Sequence, residues 1–179
     1  RGIVRISGPE CVSIVSRLGD CGRPHSALTQ PTCLPGFVNL PQGMGAVPLT
    51  LYLWPSKKSY TREPSAELHL PGSPPILSAA LEALCLAGAR LAQPGEFTLR
   101  AFLAGRLDLT QAEAVLGVID AADRRQLLTA LDQLAGGLAR PLRRLRERLL
   151  DVLAHLEAGL DFVDEDIEFI TPQQLSEVL

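Results

Sequence analysis

The sequence predicts an α+β protein: an N-terminal mixed or antiparallel sheet domain with helices, followed by an all-α, bundle-like helical segment. Three observations predict it. Most of the 15 glycines and 14 prolines fall before residue 108. Two stretches in that half alternate apolar and polar side chains with period two, as strands with one buried face do. After residue 108, apolar residues recur at intervals of three and four, the spacing of one helix face. The change of pattern divides the chain into an N-terminal domain, 1–107, and the first part of a helical domain, 108–179.

Ile3, Val4 and Ile6 predict a short first strand, and Val12, Val15 and Leu18 a helix after it. From Gly22 to Pro48 five prolines and the glycines at 43 and 45 predict a loop. Val47, Leu49, Leu51 and Leu53 then alternate with Pro48, Thr50, Tyr52 and Trp54, a strand with one apolar face. In the next strand Ala66, Leu68 and Leu70 face the core, which puts Glu67 and His69 side by side on the other face. Ser73 followed by Pro74 and Pro75 predicts a helix start with a capping hydroxyl, the helix running to about Ala87 and burying Ile76, Ala80, Leu81 and Leu84.

The helical half opens with Thr110 and Glu113 at the spacing of a capping box. Val115, Ile119 and Ala122, then Leu127, Leu131, Leu134 and Leu138, continue the helical period; Gly136-Gly137 weakens it and Pro141 starts a new helix. Leu142, Leu145, Leu149, Val152 and Leu156 form a heptad seam, read as packing within a bundle rather than between subunits. The arginines at 140, 143, 144, 146 and 148 are read as a solvated face rather than an RNA-binding stripe.

Composition narrows the function classes. With 179 residues, 46% of them hydrophobic, the chain can bury about two thirds of its unfolded surface, so wholesale disorder is excluded. A net charge of −3 argues against holding nucleic acid by bulk charge. No apolar run reaches the roughly 18 residues of a membrane span, and no signal peptide is visible. Cys11, Cys21, Cys33 and Cys85 lack metal-ligand spacing and read as reduced thiols of a cytoplasmic protein, with no metal site. The chain begins inside a strand pattern and ends inside a helical one, and is read as a piece of a longer protein.

There is no GxxxxGK[ST] phosphate loop, GxSxG elbow, HExxH or dinucleotide fingerprint. His25 falls in the loop region and His155 among apolar helix neighbours, where packing is the expected role. The acids from Asp161 to Glu168 lack the glycine and terminal glutamate of a calcium loop. Only His69 beside Glu67 suggests chemistry.

The run from Pro94 to Ala114 closely resembles the signature of the MnmE (TrmE) tRNA-modification GTPases: PGEFT, then RAF, a basic residue, then LDLTQAEA. Gly2–Gly8 resembles that family's first RISG strand, Ser59-Tyr60-Thr61 with Glu67-Leu68 its next motif, and Glu157–Phe162 its EAxxDF segment. The resemblance spans essentially the whole chain. It implies an N-terminal domain that dimerises and binds a tetrahydrofolate, here 5-formyl- or 5,10-methylene-tetrahydrofolate. A helical domain follows, interrupted by a GTPase that uses GTP, Mg and K and lies outside this chain. The implied partners are a second copy, an MnmG-like flavoprotein and tRNA, whose wobble uridine is modified at C5. A chain without the phosphate loop is expected to have no GTPase activity and no catalytic residue of its own.

Matched motif by motif, the resemblance places folate contacts at Arg5, Glu67 and Arg106, the last where the family usually has lysine. A carboxylate can accept the adjacent N–H donors of a pterin edge in a fork, a role for Glu67, and the arginines can pair the carboxylates of the glutamate tail. Where the family has TGED and HGG, this chain has Thr61-Arg62-Glu63-Pro64 and Pro71-Gly72-Ser73. That departure motivates a second reading, a scaffold that dimerises without folate. A third is an unrelated folate-dependent one-carbon transferase sharing only the domain.

Overall fold

Alternating apolar residues build a sheet whose buried side holds Val4 and Ile6, Leu49, Leu51 and Leu53, Ala66, Leu68 and Leu70, with Val38 and Leu40. The computed structural model describes residues 1–20, 28–41 and 43–161. The chain forms two compact units, Arg1–Leu107 and Asp108–Leu179. No helix among the described residues is long and apolar enough to cross a membrane.

In the first unit the strands are β1 (Gly2–Ser7), β2 (Gly19–Asp20), β3 (Thr32–Leu40), β4 (Gly45–Trp54) and β5 (Ser65–Leu70). All neighbours are antiparallel, in the order β1-β5-β4-β3-β2. Helices α1 (Cys11–Leu18) and α2 (Pro74–Leu86) cover the apolar side, and α3 (Glu96–Leu103) closes the unit. This is the α+β arrangement that the alternation predicts.

β3 corrects the expected loop between Gly22 and Pro48. It contains Pro35 and Gly36 yet pairs with β4 along its whole length. Among the described residues both prolines of this hairpin sit where a strand is paired on one side only. Pro35 lies outside the Phe37–Val38 stretch that meets β2, and Pro48 outside the Thr50–Trp54 stretch that meets β5. A missing N–H costs nothing on the unpaired side of a strand, so the proline count there is no signal of a loop. His25 and Cys21 lie outside the described residues.

α2 begins with Ser73 at its N-cap and prolines behind it, but the Ser73 hydroxyl makes no capping bond. The first two helical positions are prolines without an N–H, so little is left to cap. Its buried stripe is Ala79, Ala80, Ala83 and Leu84, while Leu81 is exposed, because small side chains let the helix lie close on the sheet.

The second unit holds α4 (Leu109–Asp120), α5 (Arg124–Leu134) and α6 (Ala139–Asp161), an all-α segment as predicted. The capping box stands at Asp108 and Gln111, not at Thr110 and Glu113. The Asp108 carboxylate accepts from the Gln111 amide at 2.9 Å, and the Gln111 side chain accepts from the Asp108 amide at 3.1 Å. Thr110 donates its hydroxyl to Asp108 instead of capping. Asp123 caps α5 in the same way, through the amide of Gln126. Along the α6 seam Val152 is buried at 8% exposure, and Leu142, Leu145, Leu149 and Leu156 are between 42% and 51% exposed. His155 is exposed too rather than packed. The acids from Asp164 onward lie outside the described residues.

Candidate ligand-binding site

Antiparallel register sets Arg5 of β1 opposite Glu67 of β5, and Glu67 in turn opposite Tyr52 of β4. Their neighbours Val4, Ile6, Ala66 and Leu68 point into the core, so these polar side chains share the other face of the sheet. Arg5 grips one carboxylate oxygen twice, Nε donating to Oε1 at 2.8 Å and Nη2 standing 2.7 Å from it. The second oxygen is 3.0 Å from His69 Nε2. The His69 ring lies against Tyr52, centroids 4.6 Å apart, and Tyr52 is stacked beside Trp54. On its other side the Arg5 guanidinium stands over the Phe97 ring, 5.7 Å from its centre, a cation–π contact.

Partial burial pushes the Glu67 carboxyl up and is the largest single influence on it. The hydrogen bonds from His69 and Arg5, with their charges, together outweigh that burial and hold the group below the usual carboxylate range. Glu67 is therefore an ionised acceptor at neutral pH.

Beside Arg5 a cavity of about 560 Å³ opens between the first strand, α1, the end of α2 and α3. Its wall combines apolar Ile6, Ile14 and Leu84 with Phe97, the arginines at 5, 90 and 100 and the acids Glu10 and Glu96. That size and mixture suit a small molecule with a ring and polar ends. The turn leading into α3 is fixed by an ion ladder. Glu96 accepts from Arg90 at 2.9 Å and from the Gln93 amide at 2.9 Å, and Arg100 bridges Glu96 to Glu63. Gly95 takes φ +77 to let Glu96 fold back on that turn, which is what the PGEF stretch does structurally. Arg90 and the Gln93 amide hold the Glu96 carboxyl down at about 2. Cys11 also faces the cavity, but burial pushes its thiol up to about 12, so it is not a nucleophile.

Arg5 and Glu67 are thus brought together, with Arg5 reaching the cavity. Glu67 lies behind Arg5 and is not part of the cavity wall. Arg106 is not part of the cavity wall: it is exposed in the turn after α3, where its amide donates to the Ala101 carbonyl. Arg62 occupies the glycine place of the family's TGED turn and keeps a left-handed backbone, φ +56. In the Pro71-Gly72-Ser73 turn a Cβ on Gly72 would meet the Arg1 backbone nitrogen at 3.1 Å, so this glycine makes room for the chain's own first strand. Sequence reasoning gave no role to Phe97, Glu96 and Arg100. Their spacing marks a helix face, but which strand that face meets is not written in it.

Two family profiles match the chain. The one described as the GTP-binding protein TrmE N-terminus matches residues 1–106, and the MnmE helical domain matches residues 109–179. The chain belongs to the MnmE family. MnmE relatives repeat the match along its length. A protein of Rhodopirellula baltica named tRNA modification GTPase MnmE is 54% identical over 175 residues, 98% of this chain and 38% of the relative. Its namesake in Aquifex aeolicus is 50% identical over 129 residues, 72% of this chain and 29% of the relative. The one in Symbiobacterium thermophilum is 40% identical over 177 residues, 98% and 39%. The chain therefore spans well under half of the MnmE relatives it matches.

Proposed function

We propose that the sheet unit of this MnmE-family chain binds a reduced folate, 5-formyl- or 5,10-methylene-tetrahydrofolate, for a tRNA modification GTPase. The observation that carries the reading is the Arg5–Glu67 pair set beside a ring-lined cavity, at the positions where the family motifs put folate contacts. When bound, the folate supplies a one-carbon unit. The chain's own residues bind and orient it. Glu67 would accept the pterin edge. It has about four acceptor positions, of which Arg5 uses two and His69 one, so a forked contact requires Arg5 to release one donor. Arg5 is 46% exposed and can turn toward the carboxylates of the tail, with Phe97 as the apolar surface beneath it. Arg106 would serve the far end of that tail.

The whole protein, in this reading, is a cytoplasmic homodimer that hydrolyses GTP with Mg and K in a domain outside this chain. With an MnmG-like flavoprotein it modifies C5 of the wobble uridine of tRNA. Exposed Ile3 and Phe37 support self-association of the sheet unit. The scaffold reading is favoured by one observation: both Glu67 oxygens already have partners.

Calorimetric titration of 5-formyltetrahydrofolate into the protein separates the two. Saturable heat that disappears in Glu67→Gln and weakens in Arg5→Ala supports the folate site. Dimers by sedimentation with no heat at millimolar ligand leave the scaffold.

A further inference from the structure

His69 belongs to none of the family motifs, yet its side chain is held by two neighbours of the site, Glu67 and Tyr52. One edge of its ring meets the second oxygen of Glu67 at 3.0 Å, the ring packs tilted against Tyr52 with centroids 4.6 Å apart, and Tyr52 is in turn stacked beside Trp54. Its side chain is only 19% exposed, so the ring has little room to turn away. We infer that His69 is a positioning residue: it fixes the second oxygen of Glu67, Oε2, and keeps that carboxylate ionised, ready to accept a ligand's N–H donors. The inference deepens the folate reading and, for its effect on a ligand, rests on it.

A strand side chain with three rotatable bonds samples several rotamers unless both carboxylate oxygens are held. Arg5 holds only Oε1, and it is the partner that a ligand must displace. If His69 were absent, Glu67 would lose its donor on Oε2 just as Arg5 gives up one of its own to the ligand, on a face where burial already pushes its proton affinity up. Such a group holds its proton to higher pH, and protonated it presents a donor where an acceptor is needed. With His69 in place one donor stays on Oε2 throughout, and that oxygen's other lone pair stays open to the ligand. The groups facing Glu67 are Arg5 from β1, His69 on its own strand and Tyr52 from β4. Arg1 and Cys33 stand near Tyr52.

Two measurements test this. In the first, the Glu67 carboxyl is titrated by carbon NMR in the ligand-free protein. His69→Ala should raise its midpoint, and His69→Gln, which keeps an amide donor, should bring it back toward wild type. An unmoved midpoint in His69→Ala in a folded protein overturns the inference, whatever the protein binds. In the second, 5-formyltetrahydrofolate affinity is followed from about pH 8 to about pH 5, a range ending just above the ordinary carboxylate pKa. Wild type should hold its affinity, whereas His69→Ala should lose about tenfold at the acid end for each unit its Glu67 midpoint rises past the working pH. A uniform loss at all pH values would mean that His69 serves structure alone. Failure of the wild type to bind sinks the folate reading and leaves the NMR result standing.

Discussion

Arg5 and Glu67 face each other across two antiparallel strands, and the guanidinium closes on one carboxylate oxygen through Nε at 2.8 Å and Nη2 at 2.7 Å. Because the Glu67 carboxyl is held below its ordinary value, its ionised form is bound more tightly in the folded state than in the unfolded one. Its contribution to stability is complete above the unfolded pKa and fades as pH falls through the folded one. The advantage of wild type over Glu67→Gln in urea unfolding should therefore be steady above about pH 5.5 and shrink toward about pH 3. Arg5 is well exposed, so that advantage should be modest, on the order of 1 kcal/mol or less. A difference that grows on acidification would contradict the assignment.

Arg62 is the sole non-glycine residue with positive φ among the described residues. A side chain in that conformation costs roughly 1 kcal/mol, and glycine adopts it freely but gains chain entropy when unfolded. Arg62→Gly should leave stability unchanged or raise it by up to about 1 kcal/mol, read from the denaturant midpoint at constant slope. A clear loss would show that the Arg62 side chain holds the turn.

Asp108 caps α4 with its carboxylate while Gln111 caps in return. Asp108→Ala should cost about 1 kcal/mol and Thr110→Ala distinctly less, since the threonine only donates to the capping carboxylate. The amide of Gln111 and the hydroxyl of Thr110 hold the Asp108 carboxyl below its usual range, so the cap survives mild acid and is lost as pH falls through that lowered value. Helix content by circular dichroism, compared between the two variants, checks the order.

Glu96 keeps its charge down to about 2, with Arg90 and the Gln93 amide as the causes. Protection of the Gln93 amide against hydrogen exchange should be the same at about pH 4 and about pH 7, and should fall in Glu96→Ala. Equal protection in variant and wild type would remove the ladder as the brace of the cavity wall.

The strands β4 and β5 and the sharing of one face by Glu67 and His69 were legible in the sequence, because period two leaves no choice about which residues sit together. β3 was not, because its prolines read as breakers and only the pairing geometry reveals that they stand on one-sided stretches. The capping box was displaced by two residues for a similar reason: Thr-x-x-Glu and Asp-x-x-Gln overlap, and the competition between the two caps is settled by geometry that spacing does not contain. Of the site, the motifs supplied Arg5, Glu67 and Arg106. That Arg5 and Glu67 touch is a fact of register between strands sixty residues apart, and the absence of Arg106 from the cavity wall is one of chain path after α3.

The two-residue length of β2 has a consequence for how the protein behaves in a crowded solution. Among the described residues β3 has a partner on that side only at Phe37 and Val38, which leaves the stretch around Cys33 and Leu34 a margin to which a foreign extended chain could pair. Pro35 sits in the middle of that margin and offers such a chain no amide. The residue that disguises the strand from a reader of the sequence also makes its border a poor template for aggregation.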